Sequence, residues 1–174
     1  MNKYVKSTVV LFSICLVVSV LLALVNFITA PVIEESKKAE IRKSLIVVLP
    51  DAEDFEEFTL TEEIPETVTS IYKDTAGTGY AITLATKSQY SEDYMLITVG
   101  IDSSLLIKNV VITAYSDSKS LPEAYPSTYI GKDATLAGAD LVSGVTYSSR
   151  AFKEAIADAF TGLNIVLATA KEAA

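Results

Sequence analysis

Residues Tyr80–Tyr115 read YAITLATKSQYSEDYMLITVGIDSSLLIKNVVITAY. Three runs dense in β-branched and apolar residues, Tyr80–Thr86, Tyr94–Ile101 and Leu105–Tyr115, are separated by short breaks that carry Ser88-Gln-Tyr-Ser91 and Asp102-Ser-Ser104. Such side chains favour strands, and clusters of polar turn formers end them. A parallel pairing needs a crossover of a dozen or more residues, which these gaps do not hold, so an antiparallel meander is expected. A further run, Val68–Tyr72, precedes them across Gly77-Thr-Gly79 and reads as another strand.

Beyond the meander, Ser116–Val142 carries Pro122, Pro126, Gly131 and Gly138 and reads as irregular. A helix is expected from about Ser148 to Gly162. Phe152, Ile156, Phe160 and Leu163 fall on one stripe beside Ala155 and Ala159, while Lys153, Glu154 and Asp158 face away. Packing that stripe on the sheet gives an α+β domain. The Ala-rich end, Leu167–Ala174, is expected to fray.

Upstream, Ser7–Ala30 reads STVVLFSICLVVSVLLALVNFITA and contains no charged residue. That run is long enough to cross a hydrocarbon core of roughly 30 Å as a helix. It is longer than a usual signal-peptide apolar region and is followed by Pro31, which favours a retained anchor over a cleaved signal. Lys3 and Lys6 favour an inside N-terminus, Lys37, Lys38, Arg42 and Lys43 oppose it, and charge counting leaves the direction open. Asn26 reads either as an interhelical hydrogen-bond site facing partner helices or, because it lies near the interface, as a hydrated side chain. Pro31–Leu49 reads as a separate juxtamembrane helix with proline in its first turn, Ile33, Ile41 and Leu45 at helical spacing, and a stop at Pro50. The expected organisation is therefore an anchor over 1–30, a juxtamembrane helix and acidic connector over 31–66, and one folded domain over 67–174.

Composition narrows the chemistry. The 174 residues include no histidine and one cysteine, Cys15, inside the apolar run. A Ser-His-Asp or Cys-His catalytic unit, a Cys/His zinc site, iron–sulfur ligation and His-ligated haem are all excluded for this chain. No metal ligands are assigned. Any redox chemistry must come from an organic cofactor or a partner. The net charge of −8 is local, because Asp51, Glu53, Asp54, Glu56, Glu57, Glu62, Glu63 and Glu66 equal the whole acidic excess. With the rest balanced, no basic stripe exists to displace counterions, and nucleic-acid binding is not expected. The acidic run reads as a solvated connecting face.

Asp140-Leu-Val-Ser143-Gly144-Val145-Thr146-Tyr147-Ser148-Ser149-Arg150 stands at the start of the last helix. A glycine turn entering a helix N-terminus offers backbone N–H groups and a positive dipole end, which suits a phosphate, and Arg150 adds a cation. The same residues also serve a plain turn at Gly144, a cap at Ser148 or Ser149, and a surface hydroxyl at Thr146.

Asp140-x-x-Ser143-Gly144-x-Thr146 with Ser148-Ser149-Arg150-Ala151 resembles the flavinylation motif of FMN-binding domains, as in the G subunit of Rnf complexes and the C subunit of sodium-pumping NADH:quinone oxidoreductase. Leu22–Glu34 is similar to the exit of the Rnf G anchor, Gly79-Tyr80 begins a strand as the family does, and Thr98–Asp102 resembles its next strand and turn. The resemblance implies FMN joined by a phosphoester to Thr146 through a dedicated flavin transferase. It implies Asp140 and Ser143 shaping the attachment loop, Gly144 and Val145 in the motif core, and Ser148, Ser149 and Arg150 beside the cofactor. Tyr147, Tyr129 and Tyr125 are candidates to stack on the flavin, with an ordinary buried or surface tyrosine as the more common reading of each. The implied setting is a single-pass membrane protein with its C-terminal domain outside the cytoplasm. There it would relay electrons between other membrane subunits of an Rnf-type, ion-translocating ferredoxin:NAD⁺ oxidoreductase, with no independent turnover. The sequence departs from the family pattern at Val145, where alanine is usual, at Ser88–Ser91, where Rnf G carries a glycine-rich segment, and at Ser116–Leu121, where it carries a Glu-Thr-Pro-Gly-Leu-Gly loop. A flavin-free, membrane-anchored domain for assembly or partner binding is the competing class. A carboxylate-pair hydrolase has less support, because the acidic residues cluster in the connector.

Overall fold

The computed structural model describes residues 3–59, 63–89, 91, 93–116 and 119–172. Glu62, parts of the 88–91 and 116–121 segments, and Ala173–Ala174 lie outside the described residues, as do the side chains of Lys3, Lys6, Lys37 and Lys38. The elements in chain order are α1 (Lys3–Val48), β1 (Phe55–Glu57), β2 (Val68–Asp74), β3 (Gly79–Thr86), β4 (Met95–Asp102), β5 (Ile107–Ala114), a 3₁₀ turn (Pro126–Tyr129) and α2 (Thr146–Glu172). They fall into two compact units, residues 1–42 and 43–174.

In the first unit, Thr8–Ala30 gives 23 residues of helix long and apolar enough to cross a membrane, a test that a signal sequence also passes. The hydroxyls of Ser13 and Thr29 donate back to the carbonyls of Val9 and Val25 at 2.9 and 2.8 Å, so these polar atoms are satisfied within the helix itself. The expected restart at Pro31 does not occur, and α1 continues unbroken to Val48. Proline removes one N–H donor from a helix, and the Glu-, Lys- and Ala-rich residues after it are strong enough helix formers to carry the element on.

The second unit is built on a five-stranded sheet in the order β1-β2-β3-β4-β5, antiparallel throughout, as the short gaps require. The fifth strand lies in the stretch read as a connector: Phe55, Glu56 and Glu57 pair with Asp74, Lys73 and Tyr72. Its acidic residues sit on an outer edge, where charge discourages pairing with another chain. Glu57 also accepts a 2.7 Å hydrogen bond from the Ser70 hydroxyl.

Strand alternation divides the sheet into two apolar faces. On one, Ile71, Ile82, Leu84, Ile97, Val99 and Ile101 meet Phe152, Ala155, Ile156, Ala159 and Leu163 of α2. On the other, Ala81 packs with Leu45, Val48 and Leu49 from the end of α1. Buried Thr98 donates to buried Ser44 at 3.2 Å on this second face. The approach is close enough that a Cβ on Gly100 would lie 2.3 Å from the Val48 carbonyl oxygen. Gly162 does not end α2 as expected. A Cβ there would stand 3.2 Å from Val68 Cγ2 and 3.3 Å from Ile64 Cγ2, so this glycine lets the helix lie against the sheet. The helix continues to Glu172, and Leu167–Glu172 is helical rather than frayed because Val166 is buried and Leu167 packs on the core.

Asp74 is fully buried and has no cation beside it among the described residues. Its carboxylate accepts the Thr78 hydroxyl at 2.6 Å and the N–H groups of Thr78 and Glu53 at 3.0 and 3.2 Å, tying the residues that lead into β1 to the β2–β3 turn. Burial pushes its pKa up, but the Thr78 hydroxyl and the N–H groups of Thr78, Ala76 and Glu53 outweigh that and hold it below the ordinary value.

Two outcomes are expected. Gly100→Ala should lower unfolding free energy by about 1–3 kcal/mol through overpacking against Val48, and an unchanged urea midpoint would contradict the close approach. The depressed pKa makes Asp74 stabilising above its unfolded value of ~3.9, with the contribution lost as pH falls through the lower folded value. Wild-type stability should therefore drop in acid more steeply than that of Asp74→Asn, and parallel pH profiles in urea unfolding would contradict this.

Candidate functional site

The approach to α2 is built around Gly144, whose φ of +86° lies in the left-handed region that favours glycine. It turns the chain from Val142 into the helix, and the Val145 N–H closes the turn on the Val142 carbonyl at 3.2 Å. Helix α2 begins at Thr146, two residues before the expected start, so Ser148 and Ser149 lie in its first turn and not at its cap. Val145, just outside the helix, has no side-chain acceptor for the end N–H groups.

Ser149 ties the turn together from inside the helix. Its side chain is fully buried, and its Oγ accepts the Val142 N–H at 3.1 Å while facing the carbonyls of Val145 at 3.0 Å and Thr146 at 3.2 Å. The Thr146 hydroxyl reaches back to the Val142 carbonyl at 3.3 Å. Val142 is thus held at both its N–H and its carbonyl.

Of the residues singled out in the sequence, Asp140, Ser143, Gly144 and Arg150 are exposed, Val145 and Thr146 are half-buried, and Ser148 and Ser149 are buried. Arg150 forms no ion pair among the described residues. Tyr125 and Tyr129 are buried core residues and do not form a stacking surface. With Phe152 they make an aromatic triad with centroid separations of 5.2 to 5.5 Å. The Tyr125 hydroxyl donates to the Ser149 carbonyl at 3.3 Å and pairs with Tyr129 at 2.8 Å. With the Tyr125 proton committed to Ser149, Tyr129 is the donor of the pair. Burial raises both phenol pKa values, and donation to Tyr125 raises that of Tyr129 further. Tyr147, at 43% exposed, is the surface tyrosine of the three, and Leu141 is 39% exposed in the same loop.

Two lysines brace this loop without having been anticipated. Lys132 Nζ donates to the Ala137 carbonyl at 2.6 Å, and Lys153 Nζ to the Ala139 carbonyl at 2.8 Å, on either side of Gly138 with φ +70°. Lys153, expected to face away, is turned back onto the loop. No local sequence signal marks these contacts, because both depend on where the irregular region folds.

The arrangement suits a phosphate-bearing group. A hydroxyl stands at the positive end of a long helix, open space adjoins Gly144, and Arg150 lies one turn on. An added Cβ at Gly144 would meet nothing within 4 Å, so substitution strains only the backbone. Gly144→Ala should therefore lower stability by about 1–2 kcal/mol, read by urea unfolding, and a neutral result would contradict the left-handed turn.

Among curated proteins, no match to the chain was found. A family model, described as the FMN-binding domain, matches residues 91–161. The matched segment runs from just before β4 through Thr161 in α2 and includes the whole Asp140–Arg150 loop; it supports the FMN-binding family and a flavin-binding, electron-carrying role.

Proposed function

We propose that this chain is an electron-carrying subunit of a membrane ion-translocating oxidoreductase of the Rnf type, with FMN esterified to Thr146. In this reading residues 1–30 are a retained anchor and the domain lies outside the cytoplasm among partner membrane subunits. The observation that carries it is the place of Thr146: a half-buried hydroxyl at the first residue of α2, inside the segment that matches the FMN-binding domain.

The local bonding is compatible with attachment. Esterification breaks the Thr146 Oγ–H bond and forms an Oγ–P bond, while the proton and the leaving group of an activated flavin phosphate depart, with no change of oxidation state. The hydrogen bond surrendered is a long one, 3.3 Å, and its acceptor, the Val142 carbonyl, keeps the Val145 N–H. The Val145 side chain packs on the core, so the β-branched residue in place of the family's alanine is drawn inward. Arg150 supplies a cation for the phosphate, and the open side of Gly144 lets it approach the backbone. Exposed Asp140 and Ser143 mark the loop for the transferase. Once bound, FMN supplies one- and two-electron transfer, which no side chain here provides.

The departures at 88–91 and 116–121 favour a second reading, a flavin-free assembly domain. Co-expression with a flavin transferase separates the two. The denatured wild-type chain should retain flavin fluorescence and gain the mass of FMN less water. Thr146→Val should lose both while keeping its fold, and Val145→Ala should be modified to the same extent as wild type. A wild-type chain of unmodified mass would leave the assembly reading standing. Protease accessibility in right-side-out vesicles tests the location, and full protection of the domain would contradict an exported one.

A further inference from the structure

We propose that Ser149 is a positioning residue for modification of Thr146, holding the threonine hydroxyl in one orientation through Val142; this rests on Thr146 being the attachment site. The reacting hydroxyl belongs to the first residue of a helix, where fraying is ordinary and a capping side chain is the usual remedy. Val145 cannot cap. Ser149, one turn inside, instead holds the turn that precedes the helix, accepting the Val142 N–H at 3.1 Å. The Val142 carbonyl in turn receives the Val145 N–H at 3.2 Å and the Thr146 hydroxyl at 3.3 Å. A side chain with no solvent exposure thus fixes the residue that fixes the nucleophile.

Ser149 is itself held from the core side. Its carbonyl accepts the Tyr125 hydroxyl, which Tyr129 backs at 2.8 Å, and both rings pack on Phe152. A connected set of contacts therefore runs from buried aromatics to Thr146. Without the Ser149 hydroxyl, half-buried Val142 can turn its N–H toward water. The fold survives, and the Thr146 hydroxyl loses its defined direction. A misplaced nucleophile slows a transfer reaction by about tenfold to hundredfold without abolishing recognition.

Ser149→Ala in the full chain is the test, with initial rates of flavin incorporation by a flavin transferase measured by intact mass. Thr67→Val serves as a matched control, because it removes the 2.6 Å bond from Thr67 to Asp158, elsewhere along α2. Ser149→Ala should lower kcat for incorporation at least about tenfold with little change in KM for the acceptor chain. It should also speed hydrogen exchange of the Val142 amide, while Thr67→Val incorporates flavin at the wild-type rate. Incorporation into Ser149→Ala within twofold of wild type, or equal slowing in Thr67→Val, would overturn the positioning role. Failure of wild type to take up flavin, or uptake by Thr146→Val, would instead overturn the attachment reading, and this inference with it.

Discussion

The packing of α2 on the sheet is the constraint from which the site follows. Burying one large apolar side chain contributes about 1.5–3 kcal/mol, whereas a single intramolecular hydrogen bond contributes a net of about 1 kcal/mol. The row formed by Phe152, Ile156 and Leu163, each without exposure, therefore sets the axis of the helix, and the loop before it adapts. Ala155 and Ala159, equally buried, let the helix lie close, and Gly162 removes the last obstacle at Val68 and Ile64. Where α2 begins is then a local matter, settled by Gly144, Val142 and Ser149 at a scale of single hydrogen bonds. Packing aims the helix, and polar contacts place Thr146 at its start.

Strand β4 joins the two sides of this unit. Its Ile97, Val99 and Ile101 face α2, while Thr98 and Gly100 face the end of α1. A residue on either face can move only by disturbing the strand between them, since packed interiors transmit strain. Ser44, Leu45 and Val48, with Leu49 just after them, are therefore as much a part of the folded domain as the strands, although the first three belong to the helix that starts upstream. The segment matching the FMN-binding domain begins just before β4 and so contains this central strand, β5, the irregular region and the Asp140–Arg150 stretch.

Much of this was legible in the sequence wherever the cause is local. The runs over 80–115 needed only strand propensity and short gaps, and they form the meander expected of them. Strand β1 was not legible because its reasons lie far along the chain: Asp74 holds the Glu53 N–H, and Ser70 bonds Glu57. The start of α2 was displaced because Ser148 and Ser149 are ordinary capping residues by type, and nothing nearby shows that Ser149 reaches backwards to Val142. Gly162 reads as a terminator until the strand beneath it is known. Tyr125 and Tyr129 lie in a segment without periodicity, so type alone could not separate a core phenol from a stacking surface. The glycine turn entering the last helix was readable from Gly144 alone, because a left-handed turn just before a helical stripe is a local feature.

The exposed character of the loop bears on how a flavin would be kept there. A freely exchanging cofactor retained at nanomolar strength needs about 12 kcal/mol of binding free energy, which means many contacts and a deep enclosure. The phosphoester proposed at Thr146 would remove that requirement, because retention would then depend on a covalent bond. The protein has only to orient the group and leave part of it open to a redox partner. Arg150, Tyr147 and Leu141 are the exposed side chains at this helix start, and under the proposed linkage the altered segments at 88–91 and 116–121 would matter less than for a dissociable flavin. Covalent attachment, as proposed, would move the demand from a pocket to the geometry of one hydroxyl, and the hydrogen bonds of this loop converge on Val142, which holds that hydroxyl.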